Sequence, residues 1–102
     1  MALYVRLVRF TERHSMGKDA PTRFQKAKRI IQRHGAKLLQ AYVTLGRFDL
    51  VSIIEAKDDK TIARISCELF DALGLQAETM PAIPLEEHLK AISSQQGAKF
   101  TA

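Results

Sequence analysis

The chain is predicted to fold as an α+β domain of element order β-α-β-β-α-β, with an antiparallel sheet that carries both helices on one face. Three observations lead there. Two segments repeat apolar residues at helical spacing, four short segments are rich in Val, Ile, Leu, Tyr and Phe, and Gly or Asp punctuates most of the boundaries between them. With 102 residues, 46% of them apolar and 26% charged, the chain can bury a single core and has the composition of an ordinary globular protein.

Each element follows from local pattern. Ala2 to Phe10 reads as a strand, because Arg6 and Arg9 interrupt the apolar run too soon for a signal peptide or a membrane span. From Ala20 to His34, Phe24, Ala27, Ile30 and Ile31 fall on one helical face, with Asp19 as the expected N-cap, Pro21 in the first turn and Gly35 as a left-handed stop. Two strands follow, roughly 37–45 and 48–56, joined at Gly46-Arg47, where a glycine able to take positive φ predicts a two-residue type II′ turn. That turn pairs Val43 with Leu50, Tyr42 with Val51, Gln40 with Ile53 and Leu39 with Ile54. In the second helix Ile62, Ile65, Leu69, Phe70 and Leu73 form the stripe, Asp58 or Asp59 caps the start, and Gly74 ends it. Leu75 to Ile83 reads as the last strand, and Pro84 opens a short helix over "LEEHLKAI". One domain over residues 1–92 is expected, followed by a flexible tail, 93–102, without periodicity.

Right-handed crossovers turn this order into a ferredoxin-like arrangement, a four-stranded antiparallel sheet with one face left open. The hairpin register puts Leu39, Ala41, Val43, Leu50 and Ile54 under the helices and Leu38, Gln40, Tyr42, Asp49, Val51 and Ile53 on the open face. In the first strand, Leu3, Val5 and Leu7 are expected under the helices, with Tyr4, Arg6 and Val8 on the open side beside Glu78 and Met80. So much exposed apolar surface calls for a cover, and a second copy, sheet on sheet, would give a homodimeric α+β barrel. Arg6, Gln40, Tyr42, Asp49, Glu78 and Tyr4 are then the candidate ligand-binding residues of a barrel interior, with Arg6 paired to Glu78 or Asp49.

The segments "LYVRLVRFTERH", "TLGRFDLVSIIEAKDD" and "LQAETMPAIP" resemble the GYD domain family of small bacterial proteins over about residues 3–90. Gly46, Arg47, Phe48 and Asp49 match the motif that names the family, with Phe48 in place of its tyrosine. The resemblance implies a ferredoxin-like, dimeric α+β barrel and no agreed reaction, since related barrels host several chemistries. Packing toward the helices is expected for the Phe48 ring.

Other residues carry plainer readings. Asp49 beside the turn can bond the hairpin amides or pair with Arg47. His14, His34 and His88 lie in a loop, at a helix end and in the terminal helix, with no i, i+4 partner and no thiolate nearby, and Cys67 has no histidine at helical spacing to activate it, so neither metal nor thiol chemistry is expected. No phosphate loop, triad or cofactor fingerprint appears, and no cofactor is expected. A lone cysteine suits a reducing compartment, so the cytoplasm is the expected location, with no membrane attachment. The net charge of +5 is concentrated on the first helix, at Arg23, Lys26, Lys28, Arg29 and Arg33 with nearby Lys18 and Lys37. A solvated basic face is the simpler reading, because readout of bases needs aromatic or amide side chains that this face supplies only as Gln25 and Gln32. Three function classes remain: a small-molecule-binding barrel, catalytic or not; a structural or regulatory assembly protein; and basic-helix binding to nucleic acid.

Overall fold

The computed structural model describes residues 1–11 and 17–95; His14 and most of the expected tail lie outside the described residues. The order is β1 (Ala2–Phe10), α1 (Ala20–Arg33), β2 (Lys37–Val43), β3 (Leu50–Ala56), α2 (Asp59–Leu73), β4 (Leu75–Ala82) and α3 (Leu85–Gln95). The four strands form one antiparallel sheet in the order β2-β3-β1-β4, with β1 and β3 central. This is the ferredoxin-like architecture expected from the element order.

The helices end where their punctuation says they should. Asp58 caps α2, its carboxylate accepting from Thr61 N at 2.9 Å and Thr61 Oγ1 at 2.7 Å. Gly74 closes α2 in the left-handed conformation (φ 67°), its amide donating to Phe70 O. At the end of α1, Gly35 takes φ 73° and donates to Gln32 O. Asp19, expected to cap α1, occupies the N-cap position without a side-chain hydrogen bond.

The core lies between the helices and one sheet face: Tyr4, Ile54 and Ala56 from the sheet meet Ile30 and Ile31 of α1 and Ile62, Ile65, Leu69 and Leu73 of α2. The stripes predicted for both helices are therefore largely the buried ones, except that Phe24 and Phe70 remain 38% and 48% exposed at the margins.

Two features of the sheet differ from the sequence reading. In β1 it is Tyr4, Arg6 and Val8 that lie under the helices, at 2%, 2% and 1% exposure, opposite Ile54, Ser52 and Leu50. Leu3, Val5 and Leu7 face the open side. Both alternating sets of β1 are mostly apolar and each carries one arginine, Arg6 in one and Arg9 in the other, so alternation alone could not choose between them. In β2 a bulge between Leu38 and Gln40 shifts the register, so Leu38 rather than Leu39 pairs with Ile54 and packs on the core. Register nearer the turn is as predicted, with Val43, Tyr42 and Gln40 opposite Leu50, Val51 and Ile53. The turn itself is wider than two residues: the strands stop at Val43 and Leu50, Thr44 N donates to Asp49 O, and Thr44 Oγ1 donates to Phe48 O.

Candidate functional site

Arg6 organises the site. It sits mid-strand on β1 with Ser52 opposite on β3 and Thr79 opposite on β4, two small hydroxyl residues that leave the long side chain room above the sheet. Arg6 Nε donates to Thr79 Oγ1 at 3.3 Å. Its Nη2 is buried and has no hydrogen-bond partner among the described residues. Burial pulls the guanidinium pKa from 12.5 down to about 10, so it stays charged at neutral pH. The pairing expected with Glu78 or Asp49 does not form. Glu78 faces the open side opposite Leu7, with the sheet between it and the guanidinium. Asp49 is engaged elsewhere, its Oδ2 accepting from Phe10 N at 2.8 Å.

Arg6 borders a cavity of about 70 Å³ beneath α1. The lining is nearly all carbon, with Val8, Ile31, Leu38, Leu50, Leu69 and Leu73 among its walls and Ser52 and Arg23 as the other polar residues. Arg23 is held aside, its Nη2 donating to Leu73 O at 2.7 Å and its guanidinium 5.5 Å from the Phe10 ring centre. Arg6 also borders a shallower groove between α2 and β4, with Ser66, Cys67, Phe70, Asp71 and Gln76.

The six candidate residues separate into three places. Arg6 and Tyr4 lie on the helix side, against expectation; the Tyr4 hydroxyl donates to Asp59 Oδ1 at 2.6 Å, which pushes its pKa up to about 12. Gln40 and Tyr42 lie on the open side of edge strand β2, where the Tyr42 hydroxyl donates to Gln40 Oε1 at 3.3 Å. Glu78 shares that side on the opposite edge strand, three strand spacings or roughly 14 Å away. Asp49 stands at the end of β3. Phe48 is outside the core, its ring flanked by the guanidinium groups of Arg9 and Arg47 at 5.3 and 5.8 Å. Ser66 and the cavity under α1 escaped the sequence reading, because a serine on a helix flank looks like any surface residue.

The basic face of α1 is partly committed to the fold. Arg33 pairs with Glu68 of α2, and His34 Nε2 lies 2.8 Å from Glu68 Oε1; these partners hold the Glu68 carboxyl below its ordinary range. Lys28 lies 5.8 Å from the Phe24 ring centre. Among the described residues no three His, Cys, Asp or Glu side chains gather as metal ligands, and no helix is long and apolar enough to cross a membrane.

The family described as GYD domain matches residues 4–92. The chain belongs to the GYD domain family. A curated relative, "Glutamine synthetase and cystathionine beta-lyase binding protein" of Thermus thermophilus, is 29% identical over 68 residues, covering 66% of this chain and 72% of the relative. Among solved structures, the Mycobacterium tuberculosis leucine response regulatory protein (LrpA) superposes with a TM-score of 0.62 at 10% identity. That match covers 81% of this chain and 51% of LrpA, so this GYD chain spans about half the length of LrpA and shares its fold.

Proposed function

We propose that this GYD protein is a homo-oligomeric small-molecule-binding protein of the cytoplasm, whose ligand enters the cavity between α1 and the sheet. The observation that carries this reading is a buried guanidinium bordering a cavity whose walls are otherwise almost entirely apolar. A few placed polar groups in an apolar chamber are the usual composition of a ligand pocket. The open sheet face has a different task. Leu3, Val5, Leu7, Val51, Ile53, Met80 and Tyr42 share it, and a second copy laid sheet to sheet would cover them. The ligand chamber and the self-association surface are thus on opposite sides of the sheet, rather than one chamber between two sheets. Native mass spectrometry of protein purified from its own host tests both parts. A dimer that releases a bound organic molecule on collisional activation is the expected result; a ligand-free monomer at micromolar concentration overturns it.

A second reading has its own support. The Thermus relative is named for binding two enzymes, and in this chain the stretch after β4 leaves Ile83 and Leu85 66% and 70% exposed. A regulator that docks on glutamine synthetase through this segment predicts saturable binding in surface plasmon resonance that Leu85→Asp abolishes.

A further inference from the structure

Two buried polar side-chain atoms among the described residues lack a hydrogen-bond partner: Arg6 Nη2 and Ser66 Oγ. Both residues border the same groove, of about 510 Å³, between α2 and β4. Arg6 alone among the charged residues borders that groove and the apolar cavity under α1 as well. Arg6, itself buried, thus borders both a groove open to solvent and a chamber walled by carbon. Native proteins seldom leave a buried cation and a buried hydroxyl unpaired unless something else satisfies them. The second copy cannot do so from the open face, because the sheet intervenes.

We propose that this site binds a small amphipathic monocarboxylate, its carboxylate accepting from Arg6 Nη2 and Ser66 Oγ and its apolar body filling the cavity under α1. The assignment rests on the small-molecule reading above and adds the ligand's chemistry. Charge selects an anion, since a neutral guest would leave the guanidinium unbalanced. It selects a single negative charge, because one arginine with its Nε already given to Thr79 can offset one carboxylate, and a phosphate dianion would bring a second charge against carbon walls. Shape selects a short body: an apolar cavity of ~150 Å³ accommodates benzene, so about 70 Å³ suits a chain of roughly three to five carbons. Asp71 also borders the groove, yet it is exposed and makes no hydrogen bond or ion pair with Arg6.

The test uses the full chain titrated with butanoate and hexanoate, with hexanamide, hexanol and inorganic phosphate as matched probes. Binding is read from backbone amide resonances of Leu38, Ser52 and Ser66 and from the shift in Tm. Saturable shifts are expected with the carboxylates, with hexanamide at least about tenfold weaker, as loss of a charge-assisted hydrogen bond demands. Arg6→Met should weaken hexanoate at least about tenfold without lowering Tm, Arg6→Lys should keep part of the affinity, and Asp71→Asn, which removes no partner of Arg6, should leave Tm unchanged. Equal binding of hexanamide, or binding of phosphate alone, overturns the carboxylate while leaving a small-ligand site in place. Silence at these resonances with every probe overturns the site itself. A large fall in Tm on Asp71→Asn would show that Arg6 already has its partner, and would also end the proposal. The comparison of hexanoate with hexanamide needs no variant, so it decides even if Arg6→Met fails to fold.

Discussion

At the scale of single residues, Asp49 finishes what the backbone leaves open. β3 begins only at Leu50, so on that side the amide of Phe10 meets a loop instead of a strand, and the Asp49 carboxylate accepts from it at 2.8 Å. Asp49 N in turn donates to Val8 O at 2.8 Å, tying the loop to β1 through both main chain and side chain. Replacing Asp49 by Ala strands a partly buried donor and should cost roughly 1–3 kcal/mol in urea unfolding, with Asp49→Asn, which keeps an acceptor, costing less. Equal stability of Asp49→Ala and the parent would remove this role. Tyr4 acts over a longer reach, binding the start of α2 through Asp59. Its folded pKa of about 12 lies above the unfolded value near 10, so folding favours the protonated phenol. That contribution is complete below pH about 10 and disappears as pH rises through about 12. In the Tyr42→Phe background, ultraviolet absorbance should show the remaining tyrosine ionising near pH 12 and, after unfolding in urea, near 10; ionisation near 10 in the folded protein would contradict the Tyr4–Asp59 bond. The site residues were legible unevenly for a physical reason. Arg6 was recognisable as a charge in a strand, but its face was not, because Leu3, Val5 and Leu7 are as apolar as the set that contains it. Gln40 and Tyr42 were placed correctly because the hairpin fixes their register locally, without reference to the rest of the sheet.

Elements show the same division between local and distant causes. Helix ends are local devices, and Asp58, Gly35 and Gly74 are found where spacing put them. What spacing could not supply was the bulge at Leu38–Gln40, whose cause is the demand of the core for Leu38, and the wider loop after Val43, where Thr44 bonds to Phe48 O in place of a tight turn. The α2 cap yields an acid prediction. Hydrogen bonds from the Thr61 hydroxyl, then its amide, lower the Asp58 pKa, so folding favours the carboxylate. The contribution is present above the unfolded value near 3.9 and fades as pH falls through the lower folded value. Asp58→Ala should therefore lower Tm at neutral pH, by roughly 4 °C for a domain of this size, and by much less at a pH below both values. A Tm difference independent of pH would show that the cap acts without its charge. Charge also joins elements: Glu68 takes Arg33 and His34 together, and so locks the end of α1 to the middle of α2. Nearer its start, α1 is tied to the end of α2 as well, through Arg23 Nη2 donating to Leu73 O.

For the whole molecule, the sheet is a partition. One side holds the core, Arg6 and the cavity; the other holds apolar side chains that the single chain leaves half-covered or open, with Tyr42 53% and Met80 42% exposed. Four strands at about 4.8 Å spacing and some eight residues in length give this side a footprint of roughly 500 Å². A stable dimer removes about 800 Å² from each partner, so flat sheet-to-sheet contact alone falls near the lower bound. α3 can supply the remainder. It extends from β4 with Leu85, Leu89 and Ile92 at helical spacing along one side, and it makes no extensive packing with the other helices or strands of its own chain. Seated on a second copy, it would add to the same interface that the sheet begins. Val5→Glu, at the centre of the open side between Ile53 and Met80, should then convert a dimer into a monomer in sedimentation equilibrium at micromolar concentration, and Leu89→Glu should weaken the dimer at least about tenfold. Because the partition separates the two surfaces, monomeric Val5→Glu should keep its hexanoate affinity within about threefold of the parent. Loss of that affinity on dissociation would mean that the partner subunit completes the ligand site, and a parent chain that is itself monomeric would leave the apolar side of the sheet without the cover argued for it.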